Sequence, residues 1–271
     1  VLDNVKIIAF ADDQKNNIKI SSQFFKSEID GKYKLTTLSD AIQNSLSKYI
    51  NVQSAKYKTN SEKQQFTFTV AVQNDPVLYK LIPKLTGLDP INISGKYNSV
   101  GDTLEIKGAI PKIIYANTTI SDGKINVETK NNAIEYQVSV ATIEGTQFKI
   151  LFTSLTGKAE NNILSYALQV KDKDKKDQYF IAGEWRHEDS KNIIKLNSEN
   201  LVLNYDKWNI NRENSIEFGD QRLYVNKFYL DHSGNELKIQ SQGNQNSAPL
   251  HVDFMNFKIE TILNMIKKTI L

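Results

Sequence analysis

Cysteine is absent from the 271 residues, which removes disulfides, thiolate metal sites and cysteine nucleophiles together. Histidine is almost as scarce. The three copies, His187, His232 and His251, stand far apart and lack the i, i+4 or short-loop spacing that metal ligation uses. No P-loop, G-x-G-x-x-G turn or G-x-S-x-G elbow is present, and the carboxylates are scattered along strand-like stretches and turns without a pair set apart for acid and base roles. No catalytic residue, metal ligand or cofactor site is therefore assigned, and the chain is not expected to be an enzyme. Arginine is sparse and no basic block occurs; 34 Lys and Arg against 31 Asp and Glu leave a net charge of only +3. Nucleic acid is a poor match for that balance. No apolar run approaches the length that spans a bilayer, and the chain starts without a methionine or a signal-peptide pattern. It is expected to be an internal piece of a longer protein, with any anchor or targeting signal elsewhere.

What is present argues for a folded chain. Mean hydropathy is −0.45, but twelve Tyr and twelve Phe accompany many Ile, Leu and Val, unlike a disordered composition. From residue 1 to 36 and again from 91 to 254, apolar residues recur at every second position, the period of a strand with one face buried. Ile125 and Val127 alternate with polar neighbours, as do Ile134, Tyr136, Val138 and Val140, and then Leu164, Tyr166, Leu168 and Val170. Gly, Asn, Asp and Lys clusters break the pattern about every 10 to 15 residues. The economical reading is an antiparallel meander, because parallel neighbours need long crossovers. The mixed-sign run KDKDKKD at 171–177 reads as a solvated hairpin turn. LNYDKWNINREN at 203–214 lacks the ligand spacing of a calcium loop and also reads as a turn. Trp185 and Trp208, inside strand-like stretches, are assigned to sheet packing.

Three short amphipathic helices interrupt the strands. The first carries Leu38, Ala41, Ile42, Leu46, Tyr49 and Ile50 on one stripe, with Thr36 or Thr37 as cap. The second starts at Asp75 and Pro76 and carries Val77, Leu78, Leu81, Ile82 and Leu85. The third carries Ile259, Ile262, Leu263, Ile266 and Ile270. Each follows a strand directly, so each is placed to cover that strand's apolar face or free edge. The segments divide as 1–90, strands with two capping helices; 91–254, the long meander; and 255–271, a terminal helix, all within one continuous elongated unit.

Alternation fits two arrangements: a sandwich whose facing side chains fill a core, or a sheet whose apolar face stays partly open as a groove. Taken alone it favours the core, because exposed apolar surface of that size is unusual. A resemblance bears on the choice. FKSEIDGKYKLTTLSDAIQNSLSKYI (25–50), VLYKLIPKLTGLDPINISGKYN (77–98), WNINRENSIEFGDQRLYVNKFYLDHSGNELKIQSQG (208–243) and PLHVDFMNFKIETILNMI (249–266) resemble, in order, stretches of the TamB family of AsmA-like envelope proteins. The resemblance implies an all-β, elongated antiparallel sheet folded over into a β-taco with an apolar groove, in the periplasm of a Gram-negative cell envelope. It also implies phospholipid moving between inner and outer membranes, or assembly of outer-membrane proteins with a barrel partner of the Omp85 type.

With that resemblance, the candidate lining is Ile134, Tyr136, Val138, Phe148, Ile150, Phe152, Tyr166, Leu168, Ile181, Leu203, Phe218, Leu223 and Val225. Acyl chains ask only for such a continuous lining, at about 0.8 kcal/mol per buried methylene. No cofactor and no membrane span within these residues is implied. The alternative function is a structural or adhesive β-sandwich module with a closed core and no lipid. A carbohydrate-active enzyme would need paired carboxylates that the sequence does not single out. At least one helix is expected across an end of the groove, with Leu78, Leu81 and Ile262 as the residues to watch.

Overall fold

The computed structural model describes residues 4–13, 15–50, 62–188, 190–219, 222–246 and 248–256. The fold is all-β and antiparallel, as the alternation led us to expect, with two α-helices among the described residues. The chain divides into two compact units, the boundary falling after Thr146. Residues 91–146 thus belong with the strands that precede residue 90.

The first unit holds β1 (Lys6–Ala11), β2 (Asn16–Ser21), β3 (Phe25–Lys32), α1 (Leu38–Leu46), β4 (Gln65–Val72), α2 (Pro76–Leu81), β5 (Leu85–Leu88), β6 (Ile91–Asn98), β7 (Thr103–Tyr115), β8 (Thr118–Lys130) and β9 (Ala133–Glu144). Consecutive strands pair antiparallel, except that β4 pairs with β6, and β5 and β6 share β7 as partner. The β8–β9 turn places Asn131 and Asn132 at φ 51° and 59°. Both central residues of a two-residue hairpin need that left-handed region, which asparagine tolerates.

Directly opposed residues of an antiparallel pair project to the same side. Register therefore collects one face from the whole unit: Ile18, Ile29, Phe66, Phe68, Val70, Ile93, Tyr97, Leu104, Ile106, Ile125, Val127, Ile134, Tyr136 and Val138. The other side carries cross-strand ion pairs, Lys15 to Asp30 at 2.8 Å, Lys19 to Glu28 at 3.0 Å and Lys96 to Glu105 at 2.6 Å. Polar side chains on one side and apolar ones on the other account for the period-two sequence.

The second unit holds β10 (Lys149–Glu160), β11 (Ile163–Lys171), β12 (Asp177–Glu188), β13 (Lys191–Leu196), β14 (Val202–Leu203), β15 (Asp206–Lys207), β16 (Asn209–Ile210), β17 (Ser215–Gly219), β18 (Arg222–Asn226), β19 (Phe228–His232), β20 (Asn235–Ser241) and β21 (Leu250–Met255). Strands β10 to β13 form a meander, β12 also takes β14, and β17 and β18 continue from β13. A smaller sheet runs β16, β19, β20, β21. The 171–177 run is the β11–β12 turn, where Asp172 accepts hydrogen bonds from the Asp174 and Lys176 amides, both at 2.9 Å. Residues 203–214 form short strands and turns around Trp208, which is buried with Leu201 and Ile210.

The helices differ from expectation in detail. Asp75 does cap α2, accepting from the Val77 amide at 2.8 Å. The helix stops at Leu81, however, and Leu85 of the expected stripe opens β5 instead. Pro83 gives the reason, since a residue preceding proline is driven out of the helical region. Thr37 stands at the N-cap of α1 but makes no capping bond; its hydroxyl accepts from the Gln64 amide at 3.1 Å. The helix expected from Ile259 to Ile270 lies outside the described residues.

Candidate functional site

The thirteen residues proposed as a lining fall in both units. In the first, Ile134, Tyr136 and Val138 lie opposite Thr129, Val127 and Ile125 on the apolar face. In the second, register places Tyr166, Leu168, Ile181, Leu203, Phe218, Leu223 and Val225 on one face, through Tyr166 with Gly183, Leu168 with Ile181, Tyr179 with Leu203, and Phe218 with Leu223. Ile194 opposite Ile216 links these strands. The same face carries Leu155, Leu164, Val170, Trp185 and Leu196; none of the five is among the thirteen candidates, although Leu164 and Val170 share the alternation of Tyr166 and Leu168. None of these named residues is charged, and the one acid that register adds to them is Asp206, opposite Leu203 at the β14–β15 turn.

Phe152 departs from the pattern. Its φ is 42°, a left-handed conformation that costs a bulky residue energy and breaks the two-residue alternation. The residue after it, Thr153, is the one that opposes Val170 on the apolar face. The Lys175 ammonium lies over the Phe152 ring, so a cation at the β11–β12 turn covers this aromatic. Phe148 precedes β10 and Ile150 lies near its start; both are half-buried.

Exposure distinguishes the face of each unit from a packed core. Of the thirteen residues only Ile134, at 7%, and Val225, at 5%, are buried. Val138 and Phe218 are each 37% exposed and Leu223 is 46% exposed. The remainder are half-buried. A sandwich interior removes side chains of this kind from solvent almost completely.

Glycines help keep the face shallow. Phe68 lies against Gly95 on the opposing strand, where an added Cβ would meet the ring at 2.5 Å and the Glu105 carbonyl oxygen at 2.4 Å. Tyr166 does the same over Gly183, its hydroxyl 2.6 Å from where a Cβ would stand. In each pair the missing side chain lets a ring lie over the opposing strand. Glycine within a strand reads in sequence as a weak point or a bulge, so this device is recognisable only once register is known.

In the first unit the two helices close opposite ends of the strands. α1 packs through Leu38 and Ile42 on the aromatic cluster of Tyr33, Phe66 and Tyr97. The Tyr97 hydroxyl donates to the Ala41 carbonyl at 2.7 Å and also pairs with the Ser45 hydroxyl at 2.8 Å. Burial pushes the Tyr97 phenol above the ordinary tyrosine value, so it stays protonated at neutral pH. Between α1 and the sheet only about 10 Å³ remains beside Tyr97, Leu104 and Ile134, too little for more than one water. At the other end Leu78 of α2, 7% exposed, packs with Leu85, Leu88, Val72, Ile91 and Ile113. Leu81, by contrast, is 59% exposed, and Ile262 lies outside the described residues. Phe66 and Val72 are six residues apart on β4, so about 20 Å of strand runs between the two helix contacts.

The polar side offers less. Hollows of about 560 and 780 Å³ open there, but most of the charged groups around them, Lys15, Lys19, Glu28, Asp30 and Lys96, already pair across strands, Lys32 being the exception among the described residues. The histidines are dispersed: His187 meets Asn192, His232 meets the Lys207 carbonyl and His251 meets Asp253. Among the described residues no group of three or more His, Asp or Glu is placed to hold a metal ion, and no helix is long and apolar enough to cross a membrane. Searches against family models, curated proteins and solved structures return no match to this chain.

Proposed function

We propose that the largely apolar, half-exposed faces bind the hydrocarbon chains of phospholipid, as part of a TamB-like periplasmic protein. On this reading the protein moves phospholipid between the inner and outer membranes or supports outer-membrane protein assembly with a barrel of the Omp85 type. The observation that carries it is exposure on the face of each unit: Val138 in the first, and Phe218 and Leu223 in the second, stay more than a third accessible where a closed core would bury them. The sequence resemblance to the TamB family supports it independently.

The chemistry asks for little more. An acyl chain makes no directional bond, so its affinity comes from apolar area, at about 25 cal/mol per Å². Spread over many equivalent Ile, Leu, Val and aromatic contacts, that attraction holds a chain without a single deep well, and a lipid can advance by exchanging neighbours. The head group remains in water beyond the strand ends. No catalytic residue takes part.

The test is organic extraction of purified protein followed by mass spectrometry. Copurifying phospholipid in amounts that fall on Leu168→Asp or Val138→Asp substitution is the expected result. Lipid-free protein that also fails to take up a fluorescent phospholipid would favour the structural β-sandwich module.

A further inference from the structure

The α2–β5 corner of the first unit carries features that lipid carriage does not use. After Leu78 has turned into the core, the chain presents Lys80, Leu81, Ile82, Pro83 and Lys84 outward before Leu85 returns to the sheet. Leu81 is 59% and Ile82 43% exposed. Tyr115, opposite Leu85 in the β5–β7 register, is 48% exposed on the adjoining strand. Lys80 and Lys84 flank the two aliphatic side chains and form no ion pair among the described residues. The nearest acids in sequence are Asp75, five residues before Lys80, and Asp89, five after Lys84; Asp75 is occupied as helix cap and by Gln23 at 3.0 Å, and Asp89 forms no ion pair with either lysine among the described residues.

We propose that this corner docks on a phospholipid bilayer bearing anionic head groups. The occupant follows from the composition of the patch. Two adjacent aliphatics at a tip, a tyrosine beside them and a lysine on each flank match a surface that is apolar below and anionic above. Leu81 and Ile82 enter the acyl boundary, Tyr115 sits at head-group level, and the lysine ammonium groups meet phosphates. A protein partner would explain the aliphatic tip, but not the flanking cations without an acidic patch to receive them.

The corner is rigid enough to present this tip. The Ile82 amide donates to the Leu78 carbonyl at 2.8 Å, the Leu85 amide to the Ile82 carbonyl at 2.9 Å, and the Ala116 amide to the Lys84 carbonyl at 2.6 Å. Since α2 closes one end of the strands, docking here would bring that end of the apolar face to the membrane. The inference does not depend on lipid carriage: a protein that docks at this corner need not bind a lipid on its sheet.

Vesicle flotation with the full chain tests it, comparing phosphatidylcholine vesicles with vesicles rich in phosphatidylglycerol. Wild-type protein should float with the anionic vesicles and less with the zwitterionic ones, and added salt should weaken the binding. L81S/I82S should reduce partitioning at least about tenfold, and K80Q or K84Q about fivefold each. Uptake of a fluorescent phospholipid by the sheet should be unchanged in all of them, which separates this inference from the proposed function. Both aliphatics point to solvent, so unchanged circular dichroism is expected. Failure of the wild type to float overturns the proposal and leaves the tip to a protein partner. Equal flotation of L81S/I82S overturns it too, since adsorption would then rest on charge alone.

Discussion

Leu223 and Leu201 are two leucines of the second unit whose replacement separates an open face from a closed core. Leu201 is 3% exposed and packs with Trp208 and Ile210. Truncating a buried leucine to alanine removes its transfer energy and leaves a cavity, at about 2–5 kcal/mol. Leu223 is 46% exposed on the apolar face, so roughly half of its burial energy is realised and Leu223→Ser should cost about 1 kcal/mol. The new hydroxyl stays hydrated there and brings no penalty for a buried polar group. Both tryptophans, Trp185 and Trp208, belong to this unit, so their fluorescence in a urea titration reports its unfolding alone. The Leu201→Ala midpoint should fall well below that of Leu223→Ser with similar slopes. Equal losses would mean that the face around Leu223 is sealed in solution, and the argument from exposure would fail.

Other perturbations have definite expectations. Tyr97→Phe removes the bonds to Ala41 and Ser45 and should cost about 1–2 kcal/mol, seen as faster amide exchange across α1 while β7 and β8 stay protected. Gly95→Ala drives a Cβ into the Glu105 carbonyl and the Phe68 ring and should destabilise by about 1–3 kcal/mol; Gly108→Ala meets only ordinary contacts at 3.5 Å and should be tolerated in the same thermal melt. Asp75→Ala should lose about 1 kcal/mol of cap energy at α2, measurable as increased exchange at Val77 and Leu78. Hydrogen bonds from Lys15 and then Asn17 hold the Asp30 carboxyl below the ordinary aspartate value. The associated stability is therefore present above the ordinary carboxylate range and lost as pH falls through the depressed value; an NMR titration should show Asp30 moving up on Asn17→Ala.

The face was legible wherever strands kept strict alternation. Tyr166, Leu168 and Ile181 could be assigned to one side because a two-residue period has only two phases, and antiparallel pairing preserves the phase from strand to strand. At Phe152 alternation misleads: a left-handed residue shifts the phase, and nothing in FKILFTSL marks which residue will do so. The end of α2 was readable in principle from Pro83, but the spacing of Leu78, Leu81, Ile82 and Leu85 imitates a continuing helix. Thr37 was out of reach because its hydroxyl is taken by Gln64, 27 residues away. The glycine partners of Phe68 and Tyr166 depend on register, and exposure depends on what covers the sheet. Periodicity encodes neither.

Site-specific photocrosslinking in cells tests the central claim most directly. A crosslinker at Val138 or Leu168 faces the apolar side, opposite Ile125 and Ile181, whereas the adjacent positions Gln137 and Gln169 project to the other side of the sheet. Val138 with Gln137 probes the first unit and Leu168 with Gln169 the second, so each unit has its own control. The account predicts phospholipid adducts at Val138 and Leu168 and none at their neighbours. Folded protein with no adduct at either apolar position, or with equal adducts at all four, would contradict it.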